Sequence, residues 1–156
     1  MAVGDTGAVE PAGPDALDER DALLVRELFP RFAGLWEALA ADEWERAREF
    51  LAPDFRHRID KQLNFADLDV DEFFANFRIW KELAGSIEED VGDVLAVTDG
   101  AVVYRRDVHA VSANGLETTW SALVVAVARD DKLTHLEEFE PEDVARAMAR
   151  FDELTQ

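Results

Sequence analysis

The chain contains no cysteine, which excludes disulfides, thiolate metal sites and cysteine nucleophiles. It is poor in cations: Lys and Arg total 16, and only Lys61, Lys81 and Lys132 are lysines, against 35 Asp and Glu and a formal charge of -19. Nucleic acid and anionic membrane surfaces bind clustered Lys and Arg, so neither is expected as a partner. No apolar run approaches the ~18 residues that a transmembrane helix needs. The N-terminus has neither the basic nor the apolar region of a signal peptide, and the expected location is the cytoplasm. No Gly-x-Gly-x-x-Gly or other phosphate-cradling loop occurs, so no nucleotide cofactor is expected. The three histidines, His57, His109 and His135, show no His-x-x-x-His spacing, and no metal site is expected. Ser86, Ser112 and Ser121 lack a nucleophile-elbow context. The acidic doublets Glu88-Glu89 and Asp130-Asp131 read as surface or turn features and do not match a calcium loop.

What is present suffices for one core. At 156 residues the chain fits a single domain. Gly4, Gly7, Pro11, Gly13 and Pro14 punctuate residues 1–14, which read as a disordered leader ahead of one domain over 15–156. Leu17, Leu24, Leu28, Phe32, Leu35, Trp36 and Leu39 then recur at helical steps, with Pro30 predicted to kink or split the helix. A second helix is predicted over 42–51, ended by Pro53. Phe55, His57 and Ile59 alternate with charged residues as in a half-buried strand, and a polar loop follows over 64–71. A third helix over 70–83 carries Phe73, Phe74, Phe77 and Trp80, with Gly85 as its stop. Strands are predicted over 91–97, 102–111, 117–128 and 133–140, joined by turns at Asp99-Gly100, 112–115 and Asp130-Asp131. A last helix begins after Pro141, with Val144, Ala147, Met148 and Phe151 as its apolar stripe. Helices followed by a run of antiparallel strands give the class α+β.

The run ALAADEWERAREFLAPDF over 38–55 and the run DKLTHLEEFEPED over 131–143 resemble segments of the nuclear transport factor 2-like superfamily. That superfamily includes SnoaL-like polyketide cyclases, ketosteroid isomerases and limonene-epoxide hydrolases. The resemblance extends over residues 20–152 in element order. It implies a cone-shaped, curved antiparallel sheet wrapped around the N-terminal helices, with a C-terminal helix and a pocket between them.

Within this resemblance the epoxide hydrolases place an Arg-x-Asp pair on one strand and a second carboxylate on the last strand. Here these slots correspond to Arg105, Asp107 and Glu138. The implied roles are Asp107 as general acid, Glu138 as general base and Arg105 orienting both. The Tyr and Asn that hold water in those hydrolases are matched by His57 and Ile59, of which only His57 can hold water or act as a base. Trp36, Ile59, Trp80, His109 and Trp120 are the candidate substrate contacts, His109 at the pocket mouth. His135 alternates away from Glu138 and has no expected role. Leu123, Val125 and Val127 form an apolar face on the far side of the sheet, for which a homodimer is the expected cover. The reading is a cofactor-free acid–base enzyme (epoxide hydrolase, isomerase or cyclase) acting on a small apolar molecule. A ligand-binding module and a dimeric assembly module are its alternatives.

Overall fold

A computed structural model describes residues 19–61 and 64–156. The expected leader over 1–14 lies outside these. Helix α1 (Glu19–Ala40) buries Val25, Leu28, Phe32, Leu35 and Leu39 along one stripe. Pro30 neither splits nor ends it. It sits on the exposed side, where water can serve the carbonyl that loses its helical donor. The helix ends against Lys81, whose ammonium donates to Leu39 O (3.0 Å), Ala40 O (3.0 Å) and Asp42 Oδ1 (2.8 Å). Three donors thus meet two C-terminal carbonyls and an acid at the negative end of the helix dipole.

The second helix, α2 (Trp44–Arg48), is shorter than the periodicity predicts. Leu51 and Pro53 belong instead to β1 (Leu51–Lys61), and Leu133 N donates to Phe50 O (2.8 Å) where the chain joins the sheet. Pro53 is tolerated because the β1 register shifts between Leu51 and Arg56. The predicted polar loop contains β2 (Asn64–Leu68), a short edge strand antiparallel to β1. Helix α3 (Val70–Leu83) starts on a capping box. Asp69 Oδ1 accepts from Glu72 N (2.9 Å) and Glu72 Oε1 accepts from Asp69 N (3.0 Å).

Strand β3 (Ala84–Thr98) follows α3 directly, so Gly85 opens a strand and is not the predicted helix stop. β4 (Ala101–Ser112), β5 (Glu117–Arg129) and β6 (Lys132–Phe139) continue the meander. At the β3–β4 turn Gly100 has φ +89°, and a Cβ there would meet Ala128 O at 2.8 Å, so the turn needs glycine. The β5–β6 turn uses Asp130 (φ 51°) and Asp131 (φ 66°), both left-handed, as a tight hairpin requires.

The sheet order is β2-β1-β6-β5-β4-β3, antiparallel except for the parallel pair β1–β6. Register shifts in β1–β6, β3–β4 and β5–β6 bend it. The concave face packs on α1 and α3 through residues such as Phe55, Val94, Tyr104, Val124 and Leu136. The convex face packs on α4 (Val144–Thr155) through Val103, Leu123, Val125, Val127, Ala147 and Phe151. The apolar face of β5 for which a second copy was the expected cover is therefore buried within one chain, beneath α4. The architecture is α+β, a curved sheet around N-terminal helices with a C-terminal helix behind it.

Candidate functional site

Side-chain direction across the sheet follows from register. Tyr104 pairs with Val124, Val124 with Glu138, and Glu138 with Ile59. Paired residues share a face, so the concave row takes even residues of β4, β5 and β6 and odd residues of β1. Glu138, His57, Ile59 and Trp120 point inward. Arg105, Asp107 and His109 point to the convex side, contrary to the grouping expected from the sequence.

Arg105 and Asp107 instead form a half-exposed cluster with Ser121. Arg105 Nε lies 3.4 Å from Asp107 Oδ1, and Ser121 Oγ donates to the same carboxylate. His109 faces Glu117 at 3.2 Å on the convex side and does not reach a pocket mouth. The cation that meets Glu138 is the neighbouring Arg106, whose Nη2 donates to Glu138 Oε1 at 2.6 Å. β4 and β6 are two strand spacings apart, about 10 Å. Arg106 crosses that gap over Ala122, its register partner on β5, which is too small to block it. Both side chains are only 9% exposed.

Glu138 also lies 2.6 Å from His57 through Oε2 and His57 Nε2. Phe73 stands edge-on against the imidazole, ring centroids 5.3 Å apart. On its other side Arg106 Nη1 approaches Glu89 Oε1 at 3.8 Å. Glu89 comes from the edge strand β3, where register with Val108 turns its side chain inward. The result is a chain His57–Glu138–Arg106–Glu89 running across the concave face.

The two carboxyls are pushed in opposite directions. Burial raises the Glu138 pKa, but Arg106 and the His57 hydrogen bond outweigh it and hold it low, at about 2. Burial raises the Glu89 pKa, and at 3.8 Å Arg106 does not fully reverse the shift. Burial also keeps Tyr104 a neutral hydroxyl well above its ordinary range.

Glu89, Arg106 and Tyr104 open onto a cavity of about 660 Å³ between α1, α3 and β3. Phe29, Phe32, Trp36 and Phe77 line it from the helices, with Ile87 and Val91 from β3. Trp36 packs on Phe77 at 5.9 Å and Phe29 meets Tyr104 edge-on at 5.6 Å, so the aromatic wall is braced ring against ring. Of the substrate contacts expected from the sequence, Trp36 lines this cavity. Trp80 and Trp120 pack on each other with centroids 5.3 Å apart and planes tilted by 34°, and Ile59 lies near the C-terminal end of β1; none of these three lines it. His57 and Glu138 stand behind Arg106 and do not line it either.

The chain is similar to many solved structures, among them the following three. One is a protein of unknown function from Burkholderia pseudomallei, described as NTF2-like (16% identity, 79% of this chain and 95% of that one, TM-score 0.56). Another is an LEH-like epoxide hydrolase from M. tuberculosis (14%, 87% and 96%, TM-score 0.56). The third is IdmH, a proposed polyketide cyclase from Streptomyces antibioticus (18%, 79% and 96%, TM-score 0.58). This chain has the nuclear transport factor 2-like fold. No family model and no curated protein matches the sequence.

On the nuclear transport factor 2-like fold, sequence reasoning missed Arg106, Glu89 and Tyr104. The signal for Arg106 lay in its row. Val102, Tyr104, Val108 and Ala110 make the even face of β4 apolar around one arginine, whereas the odd face carries Arg105, Asp107 and His109 together. Glu89 was hidden in an acidic doublet that reads as surface. Among the described residues no group of three or more His, Asp and Glu is placed to hold a metal ion, and no helix is long and apolar enough to cross a membrane.

Proposed function

We propose that the protein performs cofactor-free acid–base chemistry on a small, largely apolar molecule held in the cone cavity. Glu89 exchanges the proton with substrate, Arg106 stabilises charge developing on a substrate oxygen, and Glu138 with His57 fixes Arg106 in place. The observation that carries this reading is one guanidinium between two carboxyls whose pKa values are driven apart, at the wall of an aromatic cavity. A carboxyl whose pKa burial raises can donate to an epoxide or carbonyl oxygen and recover the proton afterwards. Epoxide opening by water and proton-shuttling isomerisation or cyclisation share that step. The acid role expected for Asp107 passes to Glu89, and the role expected for Arg105 passes to Arg106.

A panel of epoxides and enolisable ketones, assayed with wild type and Glu89→Gln, tests the proposal. The variant should lose about 10²-fold or more in kcat while its circular dichroism spectrum stays native. Wild-type turnover by Glu89→Gln overturns it. A binding role without turnover is favoured by one observation, the withdrawal of Glu138 and His57 behind Arg106. A ligand retained through purification, seen by native mass spectrometry, together with no conversion of any panel member, would establish that reading. A homodimer on the convex face would have to use its polar half, around Arg105, Asp107 and His109. Sedimentation at twice the 17.5 kDa chain mass is the observation that would establish it.

A further inference from the structure

β3 ends the strand order of the sheet, and β4 is its one strand neighbour among the described residues. Between the register shifts at Ala84/Ser86 and Val91/Val94, residues 86–91 pair with β4 without interruption. All six are exposed, and no hydrogen bond from another described segment reaches their outer backbone edge. A run of about six residues is an ordinary strand length, and an unpaired edge offers its outward N–H and C=O groups to an added strand.

The side chains of this run differ by face. Ile87, Glu89 and Val91 pair with Ala110, Val108 and Arg106 and turn to the concave side, where Ile87 is 36% and Val91 51% exposed. Glu88 and Asp90 pair with His109 and Asp107 and turn to the convex side. Neither has an ion-pair partner among the described residues, since His109 faces Glu117 and Arg105 faces Asp107. Asp90 therefore stands opposite a second carboxylate, an arrangement that costs stability across a strand pair and that a neighbouring cation relieves. An added strand alternates in the same way. Its side chains would meet Glu88 and Asp90 on the convex side, and Ile87 and Val91 on the concave side.

We propose that residues 86–91 of β3 dock an extended protein segment in which Lys or Arg alternates with apolar residues, adding a seventh strand to the six-stranded sheet. Charge selects this occupant over two others. A second copy pairing edge to edge and antiparallel about Glu89 sets Glu88 against Asp90, acid against acid. The first 18 residues of the chain itself contain no Lys or Arg and carry the acids Asp5, Glu10, Asp15 and Asp18, so they do not complement the edge either. A basic segment is drawn to a chain of formal charge -19 and finds two unpaired carboxylates at the spacing of its own alternation.

Three labelled peptides titrated with the full chain at pH 7 and about 50 mM NaCl, read by fluorescence anisotropy, test it. They are acetyl-KVKVKVK-amide, its block isomer acetyl-KKKKVVV-amide and the acidic acetyl-EVEVEVE-amide. The alternating basic peptide should bind at least ~10-fold tighter than either of the others, and amide hydrogen exchange over residues 86–91 should slow when it is bound. The block isomer binding as tightly overturns strand addition in favour of charge attraction alone, and the acidic peptide binding as tightly overturns the charge selection. Unchanged exchange over 86–91 at saturation overturns the location. Glu88→Lys combined with Asp90→Lys, checked for a native melt, should lose about 10-fold or more in affinity for the alternating basic peptide. Unchanged affinity overturns the part assigned to the two acids. No binding of any peptide up to about 1 mM overturns the proposal and leaves Glu88 and Asp90 as charges that keep the β3 edges of separate copies apart.

Discussion

Glu138 answers to two donors, Arg106 at one oxygen and His57 at the other. The exchange Glu138→Gln keeps the shape and removes the charge. Among the described residues Arg106 is then left nine-tenths buried with Glu89, at 3.8 Å, as its one remaining ion-pair partner. Breaking a buried pair from one side costs about 3–5 kcal/mol, so urea unfolding at pH 7 should show a loss near 3 kcal/mol. The pH dependence has a definite sign. The Glu138 pKa is lowered on folding from 4.5 to about 2, so its contribution is complete above the ordinary carboxylate value and is lost as pH falls towards the folded value. The gap between wild type and variant should therefore close between about pH 4.5 and pH 2. A constant gap over that range would show that Glu138 is not a carboxylate at neutral pH. Glu138 was legible as a candidate through the last-strand carboxylate slot that the resemblance implies, and His57 as the polar residue between Phe55 and Ile59 in a strand alternation. The cation was not legible, because Arg105 and Arg106 are adjacent and one residue of register moves a side chain across the sheet. Only the companions of each arginine, odd or even along β4, distinguish the surface one from the buried one.

At the scale of elements, α4 is held to the sheet by Phe151 and Ala147 and by two ion pairs, Arg146 with Asp60 on β1 and Arg150 with Glu137 on β6. Arg150 Nε and Nη2 donate to the two oxygens of Glu137 at 2.7 and 2.9 Å, and Glu137 is 2% exposed. A bidentate pair of this kind fixes both the rotation and the position of the helix on the convex face. Arg150→Ala leaves the Glu137 carboxylate buried without its cation. About 2–3 kcal/mol should be lost, less than for a fully buried pair because Arg150 is partly exposed. The double variant with Glu137→Ala should recover part of that loss, since no orphan charge remains; thermal or urea unfolding of the four forms closes the cycle. Equal losses for the single and double variants would assign the Arg150–Glu137 pair no coupling. The helices and the long meander were readable here because 3.6- and 2-residue periods run uninterrupted through them. β2 was not, since Asn64–Leu68 has too few apolar residues to declare a period and is made a strand by pairing with β1. The second helix was overextended for the same reason: Leu51 fits a helical stripe, but its partner across the chain is Leu133 on β6.

For the whole molecule the excess of acid is the dominant long-range term. Thirty-five acidic residues face 16 basic ones, and many of the cations are already taken up locally: Arg31 by Asp131, Arg48 by Asp71, Arg56 by Asp67 and Arg146 by Asp60. Salt acts on both terms in opposite directions. It weakens these exposed pairs, each worth about 0–1 kcal/mol, and it screens the repulsion among the unpaired carboxylates. With a formal charge of -19 the repulsion extends over the entire surface, whereas the pairs are few and already half screened by water. Repulsion should win. Raising NaCl from about 10 mM to about 500 mM shortens the screening length from roughly 30 Å to a few Å. The melting temperature at pH 7 should rise by about 3–6 °C, the shift that 1–2 kcal/mol produces in a domain of this size. The buried chain His57–Glu138–Arg106 should take little part, because it is shielded from the ions; Glu138→Gln should show the same rise from a lower starting point. A melting temperature that falls with NaCl would mean that the surface pairs, not the net charge, govern the stability of this fold.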